Sequence, residues 1–105
     1  MKKKNVFKTR GKVWLYDGGE NRGCWHFVSM PKDLSAELKA RFATERRGFG
    51  SLKVSATVGK TSWRTSIFPE NKEGAFILPL KADVRAKEKI SAGDSISFSV
   101  EIGGA

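Results

Sequence analysis

LPLKADVRAKEKISAGDSISFSVEI, residues 78–102, is the stretch that decides the fold. Its last eight residues alternate strictly: Ile96, Phe98, Val100 and Ile102 are separated by Ser97, Ser99 and Glu101, with Ser95 ahead of them. Four apolar residues at period two predict a strand with one buried and one wet face. Ala92-Gly93-Asp94 reads as the turn before it. Gly93 tolerates positive φ, and the Asp94 carboxylate is placed to accept local backbone N–H bonds. Ala82 to Ile90 is polar apart from Ala82, Val84, Ala86 and Ile90, which predicts about two turns of helix held by packing rather than by its own propensity. Phe76 to Leu80 predicts a short strand whose Pro79 sits at an end or an edge.

Working upstream, Leu52, Val54, Ala56 and Val58 alternate with polar residues as cleanly as the last strand. Gly59-Lys60 reads as a hairpin turn into Thr61 to Phe68, with Trp63, Thr65 and Ile67 on one face, Ser62, Arg64, Ser66 and Phe68 on the other, and Pro69 as the stop. Glu70 to Gly74 is a polar loop. Asp33 to Thr44 predicts the longer helix: Leu34, Leu38 and Phe42 fall at i, i+4, i+8, and Asp33 or Ser35 is placed to cap the start. Lys39, Arg41, Arg46 and Arg47 gather at its C-terminal end, where the helix dipole favours cations.

At the front, Phe7, Thr9, Gly11, Val13 and Leu15 form one strand face, read as core. Lys8, Arg10, Lys12, Trp14 and Tyr16 form the other, a basic stripe ending in two rings. Gly11 inside the run marks a bend or bulge of the kind a small barrel needs to close. DGGENRG, residues 17–23, is a turn. Cys24 to Met30 follows as a strand with large or apolar groups on both faces, read as central and covered twice, and Pro31 ends it.

Strand, proline, short basic helix, Gly-Asp turn, strand looks like the repeating unit of double-split β-barrels, the fold of the AbrB and MazE transcription regulators. The pair RGFGSLKVSATVGKTSWRTSIFP (47–69) and LPLKADVRAKEKISAGD (78–94) more specifically resembles a bacterial and archaeal family of uncharacterised proteins with that fold, known only as a domain of unknown function. The likeness runs from about Phe7 to Ile102. It implies a mainly β chain: a small closed double-split β-barrel of about six to seven strands with two short helices. Residues 1–5 are then a basic flexible tail and residues 6–105 a single β-barrel domain. The resemblance implies no activity, because fold does not fix function.

A chain of 105 residues is one domain with one modest core. No apolar run approaches the roughly 20 residues of a membrane span, and the three lysines after Met1 are not followed by a signal-peptide core. Cys24 is the single cysteine, so no internal disulfide forms. A cytoplasmic protein without membrane contact is expected, as a monomer or weak oligomer. Net charge is +9, which favours an anionic partner, although the cations are spread along the chain as they are on many solvated surfaces.

Residues with chemistry in them are few. Cys24 and His26 share a strand face, but there is no second cysteine or histidine to complete a zinc site or a nucleophile set. No metal, cofactor or catalytic residue is expected, and the chain reads as non-enzymatic. Gly59-Lys60-Thr61 is not a phosphate loop, since Val54 stands where its first glycine belongs and no helix follows. The loop Arg47-Gly48-Phe49-Gly50-Ser51 offers a cation and backbone N–H groups to an anion. Lys81 and Arg85 lie four apart near the start of the second helix, where positive charge is unfavourable unless Asp83, Asp94 or a ligand offsets it.

Two alternative binding sites are therefore weighed. The first is an Arg/Lys-lined cleft for an anionic small molecule or partner protein, with Arg47, Lys81 and Arg85 holding charge and Thr65 and Ser66 donating hydrogen bonds. The alternative is a nucleic-acid surface on Arg10, Lys12, Trp14 and Tyr16, supported by the charge, by rings placed to stack bases, with Trp25 and Phe49 nearby, and by fold analogy.

Overall fold

The structure, a computed structural model, describes residues 6–17, 24–42, 50–70 and 75–102. The elements in order are β1 (Val6–Asp17), β2 (Cys24–Ser29), α1 (Lys32–Arg41), β3 (Leu52–Val58), β4 (Thr61–Glu70), β5 (Ala75–Pro79), α2 (Ala82–Glu88) and β6 (Ser95–Ile102). The six strands close into a barrel in the order β1-β2-β5-β4-β3-β6, with every pairing antiparallel. Closure removes the free sheet edges on which another chain would pair.

The period-two residues of the sequence fill the barrel. Val13, Val28, Leu52, Val54, Ala56, Ile67, Phe76, Leu78, Phe98, Val100 and Ile102 form one core with Leu38 of α1, Phe42 at its C-cap and Val84 of α2. β1 reaches closure by changing partners. Val6 to Lys12 pair with β6, and Val13 to Asp17 pair with β2. Gly11 stands one residue before the switch. A Cβ there would drive into the Ser29 carbonyl oxygen and lie 2.8 Å from Val28 Cγ2, so the close approach of β1 to the end of β2 requires glycine.

The helices sit at opposite ends of β5. Ser35 of α1 meets its start, where the Phe76 N–H donates to Ser35 Oγ at 2.9 Å, and α2 leaves from its end. The expected side-chain cap of α1 is not formed. Pro31 is the N-cap residue and Ser35 is buried instead, spending its hydroxyl on β5. At the other end of α1, the Arg41 guanidinium lies 5.4 Å from the Phe7 ring centre and 3.0 Å from Glu37, tying the helix to β1. α2 is anchored through Glu88, whose carboxylate accepts from the Thr61 hydroxyl at 2.6 Å and the Lys60 N–H at 3.2 Å. Gly59 takes φ +57° in that hairpin, with the Glu88 carboxylate against it. Gly93 has φ +97° and Asp94 accepts the Ser91 N–H, as the turn reading required.

Three strand readings need correction. Pro69 does not end β4, which continues to Glu70. Phe76, opposite Pro69, directs its N–H to Ser35 and its carbonyl to the Met30 N–H. Pro69 is thus in a non-hydrogen-bonded pair, and β3 has already stopped at the Leu52–Ile67 pair, so the missing N–H breaks no ladder bond. Leu15 is not core but 49% exposed, beyond the end of the packed interior. β2 is not covered twice: only its Val28 face is buried, and Trp25 on the other is 54% exposed. Among the described residues no helix is long and apolar enough to cross a membrane.

Candidate functional site

The outer wall of one half of the barrel carries an apolar groove. β1 contributes Trp14 and Tyr16, and β2 contributes Trp25 and Phe27. β5 adds Ile77 and Pro79, and β4 adds Phe68 and Glu70. Each strand gives two residues at period two from the face opposite its core residues, and the order β1-β2-β5-β4 lays the four pairs side by side. Together they line a groove of about 440 Å³, within the roughly 300–1,000 Å³ typical of ligand sites. Ile77 is buried but stands apart from the barrel core, because what covers it is this outer cluster.

Phe27 is the hub of the rings. Trp14 packs on it at 5.2 Å between centres, Trp25 lies parallel at 6.2 Å, and Tyr16 meets it edge-on at 6.5 Å. The Trp14 indole N–H donates to Ser29 Oγ at 2.9 Å, which fixes its plane. Tyr16, Trp25 and Phe68 remain 52%, 54% and 38% exposed. Large rings held rigidly yet left open to water carry a standing hydrophobic cost that a bound partner would relieve.

The same outer face of β1 continues as Lys12, Arg10 and Lys8, all exposed. Lys12 lies two residues from Trp14, roughly 7 Å along the strand. Across from these cations stand Ser95, Ser97 and Ser99 of β6. Next come Ser55 and Thr57 of β3, then Ser62 and Arg64 of β4, with Lys53 and Ser66 paired nearby. The barrel exterior is thus aromatic on one half and cationic with small hydroxyls on the other, and β1 runs through both. Among these outward positions Glu101 is the acid on the cationic half and Glu70 the acid on the aromatic half.

The expected Arg/Lys cleft fares differently. Arg47 lies outside the described residues, as does Phe49. Arg85 donates its Nε–H to the Leu80 carbonyl at 3.0 Å, closing the strand-to-helix junction from which it springs. Lys81 is exposed at the helix N-cap, Asp83 pairs with Lys87 at 3.3 Å, and the Asp94 carboxylate holds its own turn. Thr65 shares the inward face of β4 with Ile67, while Ser66 faces outward. The two hydroxyls therefore address opposite sides of the wall. None of the four described residues lines the ring groove.

His26 sits at the α2 end of the barrel, in the inward phase of β2, with its Nδ1 buried and unpartnered. Desolvation, aided by the Arg85 charge, lowers its pKa below 6.5. The unfolded chain therefore binds the imidazole proton more readily than the folded one, so the contribution is intact above pH about 6.5 and is lost as pH falls through and below it. His26 is the sole histidine. The thermal midpoint is expected to drop on acidification from pH about 7.5 to about 5.5, and His26→Gln is expected to flatten that slope when melting is followed by circular dichroism. An unchanged slope would remove His26 from the titration. Among the described residues no cluster of acidic, histidine or cysteine side chains is arranged to hold a metal ion.

Comparison with known proteins adds a family and no activity. The family model described as a domain of unknown function, DUF1905, matches residues 10–100, nearly the whole chain. No curated protein matches the chain.

Proposed function

The chain belongs to the DUF1905 family, and we propose that it is a non-enzymatic module that binds single-stranded nucleic acid on the outside of its barrel. Bases stack in the groove around Phe27, and the phosphate chain runs along Lys12, Arg10 and Lys8. The observation that carries this reading is the continuity of the two surfaces on one strand. Every base has an apolar face that stacks on an aromatic ring, and every link of the chain is an anion, so rings beside a cation row fit this polymer without requiring a sequence. A net charge of +9 draws such a partner in from solution. The reading is preferred over the Arg85 cleft because Arg85 already serves its own backbone junction.

Three phosphate contacts predict that the logarithm of affinity falls with the logarithm of salt at a slope of about −2. A labelled mixed-sequence oligonucleotide, titrated by fluorescence anisotropy across roughly 50–200 mM salt, measures it. Joint replacement of Lys8, Arg10 and Lys12 by alanine is expected to bring the slope close to zero and to weaken binding at every sequence alike. Absence of binding at the lowest salt would end the proposal.

A further inference from the structure

Among the described residues Glu70 is the one charged side chain that lines the ring groove, and it makes no hydrogen bond or ion pair with any of them. A carboxylate is out of place in a general phosphate-binding surface, since it repels the chain it should attract. Beside stacked rings it has a different use. An ionised carboxylate only accepts, through two oxygens that can take two parallel N–H bonds. It therefore discriminates among stacked bases by the donors on their exposed edges.

Resting on the nucleic-acid reading above, we propose that Glu70 makes the groove select guanine. Guanine alone presents two adjacent donors, N1–H and the N2 amino group, on its Watson–Crick edge. Adenine and cytosine present one amino donor beside a ring nitrogen that only accepts, and a carboxylate facing that nitrogen is repelled. Uracil and thymine present one N–H between two carbonyl oxygens. The carboxylate satisfies both of its oxygens with guanine and leaves one opposed by a lone pair with each of the others. Phe68, two residues before Glu70 on the same outer face, supplies a ring against which the same base can lie. The arrangement also orients the strand: the base edge faces the β4 side of the groove, and the phosphates stay on the β1 side, away from the negative charge.

The test uses thymine-tract oligonucleotides carrying one central guanine, inosine, adenine, cytosine or thymine, titrated against the full chain and against Glu70→Gln. Guanine is expected to bind about tenfold or more tightly than thymine, with inosine, which lacks the N2 amino group, in between. Glu70→Gln keeps the shape but replaces one acceptor by a donor, so it is expected to erase the guanine preference while binding the plain thymine tract at least as tightly as before. Salt-sensitive binding with no preference among the five, or a preference that survives Glu70→Gln, overturns the guanine assignment and leaves the nucleic-acid reading standing. No binding to any of the five overturns both. So does a concentration-dependent dimer broken by Phe27→Ala in a protein that ignores oligonucleotides, because the groove is then a contact between copies of the chain.

Discussion

Phe76→Ala is expected to cost about 3–5 kcal/mol of stability, the largest effect of any single truncation among the described residues. The ring is fully buried and is the bulkiest such side chain among the described residues. Its neighbours belong to several elements at once: Lys39 of α1 lies 5.9 Å above its face, its N–H is held by Ser35, and its carbonyl holds the Met30 N–H. A rigid closed barrel collapses poorly around a void, so relaxation recovers little. Domains of this size have about 5–15 kcal/mol in total, so the variant is expected to melt tens of degrees lower or to be partly unfolded at room temperature. Chemical denaturation followed by far-UV circular dichroism reads it. A loss below about 1 kcal/mol would mean that α1 and β5 do not share a core as described.

The second large effect is on binding. Phe27 touches three other rings, on β1 and on its own strand, yet its side chain lies on the outside of the barrel. Removing it takes the floor from under Trp14, Trp25 and Tyr16 and leaves the Val28 face of β2 untouched. Base–aromatic stacking is worth about 1–3 kcal/mol per base, and the loss of the hub disturbs more than one stacking position. Phe27→Ala is therefore expected to weaken oligonucleotide binding by about tenfold to several hundredfold, with a melting midpoint much closer to the parent protein than that of Phe76→Ala.

Much of the barrel was legible in the sequence because alternation is a direct record of which side of a sheet a residue faces. β3 and β6 carried it without interruption, and their Val54, Ala56, Phe98 and Val100 are all buried. Alternation does not record depth along the barrel axis, which is why Leu15 has the core phase and stands in water. Nor does it reveal what lies over the outer face. Trp25 and Phe27 read as a covered surface because apolar groups usually are covered, and here no described element covers them. α2 ends at Glu88, inside the Ala82–Ile90 stretch, for a local reason: Lys89 takes the left-handed conformation at the C-cap, φ +56°, a role that a glycine would have announced.

The ring groove was half legible. Trp14 and Tyr16 were visible as rings on an outward face, with Trp25 placed near them. Phe68, Glu70, Ile77 and Pro79 were not associated with them, because only the strand order brings β4 and β5 beside β2. A signal existed in Phe68, an apolar residue ending the polar run Ser62, Arg64, Ser66. The Arg47, Lys81, Arg85 cluster came from loop composition and sequence spacing, which say nothing of a guanidinium turning back to its own backbone.

The proposed function requires the rings and cations of β1 to act as one surface, and tryptophan emission reports on that directly. Trp14 and Trp25 line the groove, while Trp63 packs against the barrel core. Titration with a short single-stranded oligonucleotide at low salt is expected to quench the two groove indoles, leave a residual Trp63 signal, reverse on addition of salt, and fail in Phe27→Ala. Emission that stays constant through the titration, or quenching that is equal in Phe27→Ala, would contradict it.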